Sequence, residues 1–105
     1  MSEMKMTVDA GACRFTTKLS AQSEDGMSVT FTAETDCPSV KELIAALGEV
    51  DGMDAVMSQI SGNVLMAECG KILPHPACPI PCALVKACEV VCGLGLKKDV
   101  IIKFE

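Results

Sequence analysis

The residues best equipped for chemistry are seven cysteines and one histidine in a chain of 105 residues. Their densest cluster is His75-Pro76-Ala77-Cys78-Pro79-Ile80-Pro81-Cys82. Proline is tolerated in the first helical turn, where its missing N–H has no intrahelical partner. The spacing therefore predicts a helix start with Cys78 at the N-cap, Pro79 at N1 and Pro81 within the first turn. Free backbone N–H groups and the positive end of the helix dipole favour a thiolate at such a place, and the thiolate is the nucleophile and the metal ligand. Asp36-Cys37-Pro38 repeats the device at a second helix start. Cysteine is not a preferred N-cap residue, so both positions call for another reason. Cys13 follows Gly11-Ala12 in a knuckle-like setting. Cys69 precedes Gly70, where a glycine turn at a helix end can aim a side chain outward.

These residues support three chemistries. In the first, four soft ligands drawn from separate segments hold zinc or an iron–sulfur cluster: Cys13, Cys37, Cys78 and either Cys69 or His75. No C-x-x-C pair is present; the nearest spacings are His75-x-x-Cys78 and Cys78-x-x-x-Cys82. In the second, Cys78 is a catalytic nucleophilic thiolate that holds a persulfide or performs thiol exchange, with a solvent-directed Cys82 as its resolving partner. In the third, the chain is an interaction module that binds a protein partner, and its cysteines are small core residues, since free cysteine is among the most buried residue types. No glycine-rich phosphate loop and no Ser-His-Asp arrangement occurs, and Gly93-Leu94-Gly95 lacks the rest of a dinucleotide fingerprint.

The elements that must position these thiols follow from periodicity. Residues 1–11 read as a weakly ordered lead-in with a short extended piece at Met6-Thr7-Val8. From Cys13 the chain alternates, with Cys13, Phe15, Thr17, Leu19 and Ala21 on one face of a strand. Asp25-Gly26 signals a hairpin turn, and Met27 to Thr35 forms the second strand with Met27, Val29, Phe31 and Ala33 inward. A helix after Cys37 buries Val40, Leu43, Ile44 and Leu47. Met53 to Ile60 and Val64 to Leu73 read as two short helices. The long helix spans about Pro79 to Gly93. At ~100° per residue, it groups Ile80, Leu84, Ala87, Cys88 and Val91 on its apolar face, with Cys82 opposite and Cys92 between. Asp99 to Phe104 reads as a last strand with Val100, Ile102 and Phe104 inward. The order ββααααβ predicts a single α+β domain over residues 1–105, a two-layer sandwich. Its small, mainly antiparallel sheet combines the N-terminal hairpin with the C-terminal strand and is covered by three to four helices.

Composition narrows the partners. Half the residues are hydrophobic but only three are aromatic, so aliphatic side chains, methionine and cysteine must fill the core. The net charge of −5 argues against nucleic acid and against an anionic membrane surface. No run approaches the roughly 18 apolar residues of a membrane span. With no basic, then apolar, leader at Met1–Met6 the expected location is the cytoplasm, where thiols stay reduced. Seven is an odd number, so a complete set of internal disulfides is excluded.

Two resemblances follow from these motifs. Cys78-Pro79-Ile80-Pro81 before a helix resembles the C-P-x-P helix start of the TusA/SirA-like sulfur carriers, which implies a persulfide on the motif cysteine. Those proteins carry the motif near the N-terminus, so their fold is not implied. Nearly the whole chain is similar to an uncharacterised family of small cysteine-containing prokaryotic proteins, frequent in anaerobes. That likeness rests on Gly11-x-Cys13, Asp36-Cys37-Pro38, His75-x-Ala77-Cys78-Pro79-x-Pro81 and Gly93-Leu94-x-Leu96 with Asp99-Val100. It implies roles for Cys13, Cys37 and Cys78 ahead of Cys88 and Cys92, and it has no clear counterpart of Cys82.

Overall fold

The computed structural model describes residues 1–105. Four antiparallel strands form one sheet in sequential order: β1 (Ser2–Asp9), β2 (Thr16–Ser23), β3 (Ser28–Glu34) and the two-residue β4 (Val50–Asp51). Helices α1 (Pro38–Leu47), α2 (Gly52–Met57), α3 (Val64–Ile72) and α4 (Ile80–Val91) complete the chain. α1, α2 and α4 pack on one face of the sheet, and α3 packs on those helices. The fold is the expected two-layer α+β arrangement.

The hairpin follows its alternation except at Met27, which precedes β3 in the turn and is exposed rather than inward. Thr17, Leu19 and Ala21 of β2 and Val29 and Phe31 of β3 are buried on the helix side. Leu19 lies opposite Ala33 and Ala21 opposite Phe31. At the turn, an Asp25 oxygen accepts hydrogen bonds from the backbone N–H groups of Met27 and Ser28, both at 2.9 Å. Those bonds hold the Asp25 carboxyl below its ordinary value. Gly26 takes a positive φ of 74° that an L side chain rarely adopts.

Several expectations need correction. Residues 2–9 are not a loose lead-in but the edge strand β1, paired along its length with β2 from Ser2 opposite Ser23 to Asp9 opposite Thr16. The period was present in the residues: Met4, Met6 and Val8 turn toward the core while Glu3, Lys5, Thr7 and Asp9 are exposed. Asp99 to Phe104 is not a strand; Val100, Ile102 and Phe104 are all exposed. Local β-propensity is met only when a partner edge is engaged. Cys13 does not open β2. It ends a 3-10 turn, Gly11–Cys13, closed by Arg14 at a positive φ of 64°. The segment Met53–Ile60 divides into α2 and a 3-10 turn at Ile60–Gly62, leaving Met53, Met57 and Ile60 exposed. α2 buries Gly52 and Ala55 instead, because Gly52 is pressed against Cys92 and Val29.

The long helix matches its pattern. Ile80, Leu84, Ala87, Cys88 and Val91 are all buried, while Cys82 faces out. Its start is shifted by one residue: Pro79 is the N-cap, Ile80 is N1 and Pro81 lies in the first turn. Cys78 is therefore just outside the helix. α1 begins as expected, with Cys37 at the N-cap and Pro38 at N1. α3 is capped by Asn63, whose Oδ1 accepts from the Met66 N–H at 3.0 Å.

Candidate functional site

The seven cysteines fall into three groups by surroundings. Cys69 and Cys88 are buried in the core, and Cys92 is half-buried at the end of α4. Burial, then the charge of Cys78, raises the Cys69 thiol to about 11. Burial, then Cys92, raises Cys88 to about 12. Burial, then Asp25 and Asp51, also raises Cys92. Desolvation disfavours a thiolate at all three, so they are poor nucleophiles at neutral pH. The outward-aimed Cys69 expected from Gly70 is instead a core residue of α3.

Cys13 and Cys37 form the second group. Cys13 is exposed on the 3-10 turn between β1 and β2. Cys37 is half-buried beyond the end of β3, where its N–H donates to Thr35 Oγ1 at 3.2 Å. That threonine accepts in turn from Thr17 Oγ1 at 2.9 Å. Pairing of Lys18 with Glu34 and of Asp9 with Thr16 puts both cysteines at the same end of the sheet. The side chain of Cys37 makes no capping bond to α1.

Cys78 and Cys82 are the third group. Both open on a groove of about 1420 Å³ that runs between β1, the start of α4 and the segment from Leu96 to Ile102. Cys78 is half-buried and Cys82 exposed. A turn positions the first: the Cys78 N–H donates to the His75 carbonyl at 3.2 Å. Pro79 offers no N–H to extend that turn and serves as the N-cap, while Pro81 fits the first turn of α4. Buried Ile80 and Leu84 then anchor the helix and hold Cys82 on its outward side. Cys69 lies behind Cys78, near enough for its thiol to sense the Cys78 charge. No other cysteine lines the groove.

The groove is also electrostatically distinct. Five lysines line it, Lys86 among them, against the three carboxylates of Asp9, Glu34 and Asp99. This local excess of cations stands in a chain with nine basic and 14 acidic residues. Lys86 is held by an i,i+3 ion pair with Glu89 at 3.2 Å. Sequence spacing did not single out Cys82 or Lys86 as groove residues. The i+4 step from Cys82 to Lys86, which places residues on one side of a helix, was the available signal.

Of the expected metal ligands, the fold brings His75 and Cys78 into one turn and sets Cys69 behind them. Cys13 and Cys37 reach the same end of the sheet. No three His, Cys, Asp or Glu side chains gather closely enough to hold a metal ion.

A two-layer α+β domain with two thiols on a cation-rich groove is thus what the fold and site define. A family model matches residues 4–104, and the chain belongs to that family, one of unknown function designated DUF6951. Neither a curated protein nor a solved structure matches the chain. No helix is long and apolar enough to cross a membrane.

Proposed function

We propose that the protein is a thiol-based sulfur carrier or thiol-exchange protein, with Cys78 as the reacting thiolate. One observation carries this reading: of the seven cysteines, only Cys78 and Cys82 open on the groove. The resemblance of Cys78-Pro79-Ile80-Pro81 to the C-P-x-P start of sulfur carriers points the same way. The lysine excess suits an anionic sulfur donor, because a cation-lined cleft raises the local concentration of anions.

The step balances without a metal. The Cys78 thiolate attacks the terminal sulfur of a persulfide or polysulfide donor. The donor's S–S bond breaks, its remaining sulfur leaves as a thiolate, and Cys78 keeps the transferred sulfur as a persulfide. If Cys82 then attacks the Cys78 sulfur, a Cys78–Cys82 disulfide forms and hydrosulfide leaves. The first outcome is a carrier and the second an exchange protein.

Protein purified without oxygen and incubated with inorganic polysulfide tests this by peptide mass mapping. One sulfur atom added at Cys78, retained in Cys82→Ser and absent in Cys78→Ser, is the expected result. Slow and even reaction at all exposed cysteines would overturn it.

A second reading retains zinc or an iron–sulfur cluster on Cys13, Cys37 and Cys78 with Cys69 or His75. The position of Cys13 and Cys37 together at one end of the sheet favours it, although the loops would have to close inward to complete a site. Metal analysis of the same preparation separates the two. A stoichiometric metal lost in both Cys13→Ser and Cys37→Ser would favour the metal reading.

A further inference from the structure

β1 is an edge strand, hydrogen-bonded to β2 on one side and to no strand on the other. An open edge of eight residues presents a row of free N–H and C=O groups and is a template for another strand. The same chain carries an unsatisfied strand former. Asp99-Val100-Ile101-Ile102-Lys103-Phe104 is rich in β-branched residues, yet Ile102 is 87 % and Phe104 101 % exposed. Leu96 to Ile102 and Met4 to Asp9 line the same groove. The two unsatisfied elements therefore border one cleft.

We propose that the segment from Lys97 to Phe104 docks on β1 as a fifth, parallel strand, a strap that closes the groove over Cys78 and Cys82. The direction follows from the chain path. α4 ends beside the β2–β3 turn: Cys92 sits against Gly52, and the Gly52 N–H donates to the Met27 carbonyl at 2.7 Å. β1 begins at that same end, with Ser2 opposite Ser23. Gly93 turns the chain there at a positive φ of 70°. A segment returning along β1 from this point runs parallel to it.

In parallel pairing, residues side by side share a face. Placing Lys97 beside Glu3 sets Asp99 beside Lys5 and Lys103 beside Asp9. All three pairs join opposite charges, and all lie on the exposed face of β1. The same register puts Val100 beside Met6 and Ile102 beside Val8, on the face of β1 that packs toward the core. Lys98 falls beside Met4 at the end of the edge, where its long stem can cover the methionine while its ammonium reaches water. Shifting by one residue would put Asp99 and Lys103 on the core side and break all three charge pairs, so the register is specified.

Hydrogen exchange on the 105-residue chain tests the strap independently of any sulfur chemistry. The variant carrying Val100→Asp and Ile102→Asp alters only side chains exposed in the open form, so the rest of the fold is retained. In the unsubstituted monomer, amides of Met4–Asp9 and of 99–104 are expected to exchange slowly. In the variant both sets should exchange roughly tenfold faster, with α4 unchanged. Asp9→Lys should weaken the protection and Lys103→Asp in the same chain should restore it. Alkylation of Cys82 should accelerate in the Val100/Ile102 variant. Identical β1 exchange with and without the two substitutions would overturn the strap. Protection that appears only with dimer mass and vanishes on dilution would also overturn it, because a second copy would then supply the strand.

Discussion

At the scale of single residues, neighbours decide which thiols can react. Cys88 and Cys92 lie one helical turn apart; the core covers Cys88 and Cys92 packs against Gly52, whereas the equally half-buried Cys78 opens on the groove. Gly52 shows how closely Cys92 is packed. A Cβ added there would lie 2.5 Å from Cys92 Sγ, 2.9 Å from Val29 Cγ2 and 3.0 Å from the Met27 carbonyl oxygen. Something must move, and two of the three neighbours belong to β3 or the backbone just before it. Gly52→Ala is therefore expected to cost about 1–3 kcal/mol by overpacking, read as a lower urea midpoint. Adding Cys92→Ala should recover only part of the loss, since the carbonyl contact remains. Full stability of Gly52→Ala would show that the corner is loosely packed.

At the scale of elements, the corner between α2 and α3 depends on one side chain. Asn63 is buried, and it caps α3 through Oδ1 while its Nδ2 donates to the Ala55 carbonyl at 2.8 Å and the Ser58 carbonyl at 3.3 Å. One residue thus closes two helix ends and the 3-10 turn between them. Asn63→Ala removes the cap and leaves the Ala55 carbonyl without that donor, an expected loss of about 2–3 kcal/mol. Asn63→Asp keeps the capping oxygen and removes the donor, so its loss should be intermediate. Thermal or urea unfolding of the two variants checks the order. The same corner positions α3, and with it Cys69 behind Cys78. The N-cap at Cys37 and the apolar stripe of α4 were legible from residue type and spacing. The break of Met53–Ile60 into a helix and a 3-10 turn was not, because a stripe of four apolar residues fits one helix equally well.

At the scale of the whole molecule, buried thiols couple stability to alkaline pH. An ordinary thiol ionises near 9.0, whereas folding holds Cys69 to about 11 and Cys88 to about 12. Below 9.0 both states keep these protons, so the contribution is fully present. Above 9.0 the unfolded chain loses them first, and stability falls until pH passes the folded values. Each such thiol adds a slope of up to about 1.4 kcal/mol per pH unit in that window. Urea midpoints are thus expected to fall between about pH 8 and about pH 10, and Cys88→Ala should fall less steeply than the unsubstituted chain. Equal slopes for the two would mean that water reaches Cys88.

By itself the sequence determined the hairpin, the helix start at Cys37-Pro38, the start of α4 to within one residue, and the buried face of α4. Each is a local pattern whose period or turn chemistry allows one conformation. It also marked Cys78 as the thiol to watch. The tertiary structure decided what surrounds each thiol, because burial, shared grooves and facing charges join residues far apart in the chain. It turned residues 2–9 into an edge strand, since their short alternation takes effect only against β2. It moved Cys69 into the core, brought Cys13 and Cys37 to one end of the sheet, and gathered no three metal-ligating side chains. It also set Cys82, which spacing alone left optional, on the same groove as Cys78.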